Sequence, residues 1–148
     1  MIEGFVEGNG FNSSLLFKTQ LYGITEGVWV DEKGTVYTAG NYLYKYSRGI
    51  WNYVRSLPEN YLGGNPGNYY RGYLHTIRGF ASNDIFIFGE SNTLIHFNGL
   101  TWRKIGPEYI PFSYSHWYQA DAKGNLIVAV GKTADIWGDV GQIIRIWR

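Results

Sequence analysis

The sequence predicts an all-β fold of three four-stranded antiparallel repeats, and three observations lead there. A unit of about fifty residues recurs three times, and its apolar run closes on a glycine at Gly40, Gly89 and Gly131. Within each copy apolar and polar residues alternate with period two, interrupted at short intervals by turn residues, as in a meander of short strands. Aromatics make up 18% of the chain (6 Trp, 13 Tyr, 8 Phe) and 20 residues are Gly, a composition suited to half-buried pleated surfaces and turns rather than helices. A length of 148 residues suits one domain able to bury a sizeable core.

The central copy is the clearest. Its strands fall at His75 to Ala81, Asp84 to Glu90, Thr93 to Asn98 and Thr101 to Ile105. The second is apolar at successive positions (Ile85, Phe86, Ile87, Phe88), so both of its faces are expected to be covered. Val36 to Ala39 in part, and Leu126 to Val130 throughout, read the same way. The third and fourth strands alternate instead: Tyr42, Tyr44 and Tyr46 share one face and Leu43 and Lys45 the other, while Trp102 and Lys104 oppose Arg103 and Ile105. Turns punctuate the copies. Asp31 to Gly34 (DEKG) and Asp121 to Gly124 (DAKG) follow the first strand of their copies, Ala81 to Asp84 does so in the central one, and Arg48-Gly49 and Asn98-Gly99 are hairpin signals.

Several function classes are excluded. Net charge is +1 with Lys and Arg scattered singly, so neither a nucleic-acid nor an anionic-membrane footprint is present. The chain has no cysteine for disulfides or Cys-based zinc sites. No stretch reads as a transmembrane helix, and Met1 to Gln20 lacks the basic start and continuous apolar core of a signal peptide. Turn geometry accounts for the spacing of the acidic residues, so no metal is called for. Gly63 to Asn68 (GGNPGN) lacks the lysine and helix of a phosphate loop, and no other motif implies a cofactor.

Ser82 to Gly89 (SNDIFIFG) followed by Leu94 to Trp102 (LIHFNGLTW) resembles the blade repeat of bacterial β-propeller repeat proteins. The resemblance extends more weakly to the flanking copies and departs from WD40, Asp-box and kelch patterns. It implies that 28–56, 75–105 and 117–148 are three blades, the third lacking its outer strand, and it leaves activity open. Propellers typically have about four to eight blades, so three fall short of closure. The expectation is a homodimer closing a six-bladed ring head to tail. Residues 1–27 would serve as a strand-exchange segment, with Leu15 to Gln20 of each chain completing the third blade of the other.

The long connections, Leu57 to Leu74, Gly106 to His116 and Lys132 to Gly141, all fall at one end of the sheets, where binding residues concentrate on a rigid scaffold. The candidate ligand-binding residues are therefore Tyr61, Tyr69, Tyr70, Arg71 and Tyr73 in the first, Tyr109 and Tyr114 in the second, and Asp135, Trp137 and Asp139 in the third. Tyr and Trp offer an apolar face and a polar tip, suited to stacking on a sugar ring or gripping an extended peptide. His75, His96 and His116 stand without close carboxylates in the sequence, His96 reads as structural, and no catalytic residue is assigned. A non-catalytic binding or interaction protein with a glycan or protein ligand is expected. The alternative is a glycan-active enzyme, a glycoside hydrolase or lyase, working through carboxylates such as Asp135 and Asp139 at that end.

Overall fold

The computed structural model describes residues 23–54, 57, 73–105, 115–135 and 138–148, and every regular element among them is a β-strand. The first sheet holds β1 (Thr25–Val30), β2 (Val36–Gly40), β3 (Leu43–Ser47) and β4 (Ile50–Tyr53), and the second β5 (Leu74–Ala81), β6 (Asp84–Gly89), β7 (Leu94–Phe97) and β8 (Trp102–Lys104). The third contains β9 (Ser115–Lys123), β10 (Leu126–Asp135) and β11 (Gly138–Trp147). Sequential strands pair antiparallel, in the orders β1-β2-β3-β4, β5-β6-β7-β8 and β11-β10-β9.

Local chemistry sets most of the turns. Asp31 Oδ1 accepts the backbone N–H groups of Lys33 (2.9 Å) and Thr35 (2.8 Å), closing the β1–β2 connection in which Gly34 takes a φ of 75°. Arg48 and Gly49 both lie in the left-handed region (φ 52° and 81°) between the paired Ser47 and Ile50, the backbone of a twist-matched two-residue hairpin. Asn98 Oδ1 accepts from Leu100 N (3.1 Å) and Thr101 N (2.9 Å).

Two expectations are corrected in the third sheet. The tetrapeptide from Asp121 to Gly124 does not repeat the turn made by Asp31 to Gly34. The β9–β10 ladder stays in register out to Lys123 opposite Leu126, so Asp121 lies within the strand and only Gly124 and Asn125 turn. Nor is Lys132 to Gly141 a long connection: Lys132 pairs with Gly141 and the ladder continues to Asp135 opposite Gly138. The segment expected at Leu15 to Gln20 lies outside the described residues.

The three sheets stack face to face. Trp29, Tyr37, Ala39 and Leu43 of the first meet Ile77, Ile85, Ile87 and Ile95 of the second. On its opposite face the second sheet brings Phe86, Phe88 and Leu94 against Trp117, Ala120, Ile127 and Ala129 of the third. The two-sided packing explains β6, whose six residues are all buried as its unbroken apolar run requires.

The first strands of the sheets, β1, β5 and β9, lie beside one another and run the same way. Glu26, Val28 and Glu32 along β1 and its turn contact His75, Arg78 and Ser82 in that order, and His75 and Arg78 reach Tyr118 and Asp121 on β9. One end of the stack, called upper here, therefore carries the β2–β3, β6–β7 and β10–β11 connections.

Candidate functional site

Near the upper end of the first strand of each sheet, a bulge leaves one residue out of the ladder. In β1, Thr25 pairs with Gly40 and Gly27 with Ala39, which leaves Glu26 unpaired. In β5, Leu74 pairs with Gly89 and Thr76 with Phe88, which leaves His75. In β9, Trp117 pairs with Gly131 and Gln119 with Val130, which leaves Tyr118. A bulge kinks its strand and re-aims the extra side chain. The glycines opposite make room for the kink: a Cβ on Gly40, Gly89 or Gly131 would lie 1.8, 2.2 or 2.0 Å from the carbonyl oxygen of Ile24, Tyr73 or His116.

The three bulged side chains converge at the upper end. His75 hydrogen-bonds through Nδ1 to the Glu26 carboxylate, and its Nε2 lies 3.6 Å from Glu90 Oε1. Glu90, just past β6, is held by its own N–H donating to Tyr73 O (3.0 Å) and by Tyr73 N donating to its carboxylate (3.4 Å). The Tyr118 ring sits 5.3 Å from the His75 ring and 6.3 Å from that of His116. Nearby on β10, Lys132 Nζ donates to Asp139 Oδ2 at 2.5 Å, an exposed pair that holds the lysine above its ordinary pKa.

Behind Tyr118, on the face turned toward the second sheet, several buried polar atoms have no hydrogen-bonding partner: Ser115 Oγ, Trp117 Nε1 and both side-chain ends of Gln142. Trp117 and Gln142 flank Gly131 in register from either side. Such a group costs about 1–3 kcal/mol when left unpaired. Among the described residues no cluster of three or more His, Cys, Asp or Glu is arranged to hold a metal ion.

Of the residues singled out in the sequence, Tyr73 stands beside Glu90 and His75, and Asp139 is paired with Lys132. Asp135 ends β10 opposite Gly138. Tyr61, Tyr69, Tyr70, Arg71, Tyr109, Tyr114 and Trp137 lie outside the described residues. Two histidines meet carboxylates distant in sequence: His75 is placed between two, and His96 Nε2 lies 2.6 Å from Asp84 Oδ1. Asp84 is almost wholly buried, its second oxygen 2.5 Å from Arg148 Nη2, and Phe86 stacks on the His96 ring at 4.3 Å, which gives His96 its structural role. Glu26, Glu90, Tyr118 and Lys132 escaped sequence reasoning. A signal existed, because aligning the copies on their glycines sets Glu26 and His75 at the same position.

At the other end a shallow groove of about 450 Å³ runs between Asn125, Leu126, Arg145 and Trp147. Comparison with protein families, with curated proteins and with solved structures returns no match to this chain.

Proposed function

We propose that the chain is a non-catalytic binding or interaction protein whose sheets are blades of a β-propeller and whose upper end holds a glycan or protein ligand. The convergence of Glu26, His75 and Tyr118, one from each sheet, carries this reading. A side chain re-aimed out of a ladder at the same place in three sheets costs pairing three times, and such bulges concentrate at functional sites. Glu26 and Glu90 would accept from hydroxyls or amides of the ligand, and Tyr73 and Tyr118 would stack on it.

In this reading two chains make a six-bladed ring. The side-by-side, parallel course of β1, β5 and β9, and the like clash at Gly40, Gly89 and Gly131, support treating the sheets as equivalent blades around one axis.

Glycan and peptide arrays probed with the purified protein test the reading. Tyr118→Ala and Glu26→Gln should each weaken the ligand found by about tenfold or more, the loss of one stacking or charge-assisted contact, with an unchanged far-ultraviolet spectrum. A ligand indifferent to both changes, or no ligand on either array, would overturn it. One observation favours the glycan-active alternative: Glu26 and Glu90 approach one imidazole from two sides, and glycan cleavage needs two carboxylates. Glu26, however, already has one carboxylate oxygen hydrogen-bonded to that histidine. Cleavage of a bound glycan, abolished by Glu90→Gln while binding persists, would establish the enzyme.

A further inference from the structure

Each sheet has two unlike faces, and the chain joins them the same way twice. The Tyr37 and Ala39 face of the first sheet meets the Ile85 and Ile87 face of the second. The Phe86 and Phe88 face of the second meets the Ile127 and Ala129 face of the third. Aligned on the three glycines, Tyr37 and Ala39 correspond to Phe86 and Phe88, and Ile85 and Ile87 to Ile127 and Ala129. The two joints are therefore one joint repeated.

Two faces are left over, one of each kind. Val28 on the first sheet is 57% exposed, whereas Ile77, at the same position in the second sheet, is fully buried at 0%. On the third sheet Ile143 pairs with Val130 as Leu94 pairs with Phe88, yet Ile143 is 72% exposed and Leu94 only 1%. Trp147, beside the shallow groove, is 67% exposed. Contiguous apolar sheet faces of this kind are association sites.

We infer that the outer face of the third sheet docks onto the outer face of the first sheet of a second copy, making the internal joint once more between chains. The occupant is a second copy because the chain itself already displays the fit between these two kinds of face. A contact between unlike faces is head to tail, and it closes or propagates according to the rotation per sheet. The inference rests on the ring reading above only for closure at two copies. Docking would also set Tyr118 of one copy beside Glu26 of the next, as His75 lies beside Glu26 within the chain, so the joint would extend the upper-end cluster around the axis.

Light scattering and sedimentation of the full chain across a range of concentrations, with Val30→Lys and Ile143→Glu, test it. Each change places one charge on one exposed end face, so each variant should keep its far-ultraviolet spectrum and associate about a hundredfold or more weakly than wild type, because burying an unpaired charge is costly. Mixing the two variants should restore a dimer, since one joint is then wild type on both sides and the other brings Lys against Glu. A dimer with that rescue supports both the docking and the ring. Open-ended polymers with the same rescue support the docking and overturn the six-bladed ring. A wild-type monomer at every concentration overturns the docking, as does a dimer that either variant leaves intact or the mixture fails to restore.

Discussion

Replacing Gly89 by alanine tests the packing that frames the site. The new Cβ would lie 2.2 Å from Tyr73 O, and the obstacle is backbone rather than a side chain that can swing away. The chain before β5 must retreat by about an ångström, and overpacking of that kind costs roughly 1–3 kcal/mol. Tyr73 O also accepts the Glu90 N–H at 3.0 Å; loosening that bond adds about 1 kcal/mol. A loss of about 3 kcal/mol is therefore expected. With a urea dependence of about 2 kcal/mol per molar, the unfolding midpoint seen by tryptophan fluorescence should fall by roughly 1.5 M. Gly34→Ala provides the control: its φ is 75° but a Cβ there meets nothing within 4 Å, so only backbone strain of about 1–2 kcal/mol applies. A Gly89→Ala variant no less stable than Gly34→Ala would refute the reasoning.

Other outcomes follow from single contacts. Asp84→Ala strips the buried partner from both His96 and Arg148; with those two partly in solvent the loss should be about 2–3 kcal/mol, short of a fully buried pair, and a loss under about 1 kcal/mol would show the carboxylate to be dispensable. Burial pushes the Tyr37 hydroxyl up to about 12, with the Asp31 and Glu32 charges adding to it. Because the folded value is raised, the stability linked to it is complete below the ordinary tyrosine value near 10 and is lost as pH rises through about 12. Absorbance at about 295 nm should resolve one late-titrating tyrosine that disappears in Tyr37→Phe, and coincident titration of all tyrosines near 10 would contradict this.

The fold was legible where alternation and turn chemistry agreed. The run from Ile85 to Phe88 could only be a strand covered on both sides, and Arg48-Gly49 and Asn98-Gly99 turned where expected. The two errors share a cause, because the end of a strand is decided by its partner. Asp121 to Gly124 carries the turn residues of Asp31 to Gly34, but the long β9–β10 ladder overrode them, and the same pairing carried Lys132 to Asp135 out of the expected loop. The site was largely illegible. His75 and Glu26 are 49 residues apart and meet only because two sheets stack. Aligning the copies on their glycines puts Glu26 level with His75, but Tyr118 falls one place off that register, so the letters alone do not mark all three as re-aimed.

The covering of β6 on both sides has a consequence for how the molecule comes apart. Its backbone amides are shielded by a packed sheet above and another below, so their exchange with deuterium requires opening of the whole stack. Edge strands β4 and β11 lose their amide protons by fraying alone, and cooperative opening should advance from both outer sheets toward the middle of the sequence. The last structure to dissolve, and the best place for an early folding nucleus, is then the hairpin of β6 and β7 rather than either flank. A second copy bound across the outer faces would slow exchange in the first and third sheets toward the rate of the second, leaving a protection map that is even across all three.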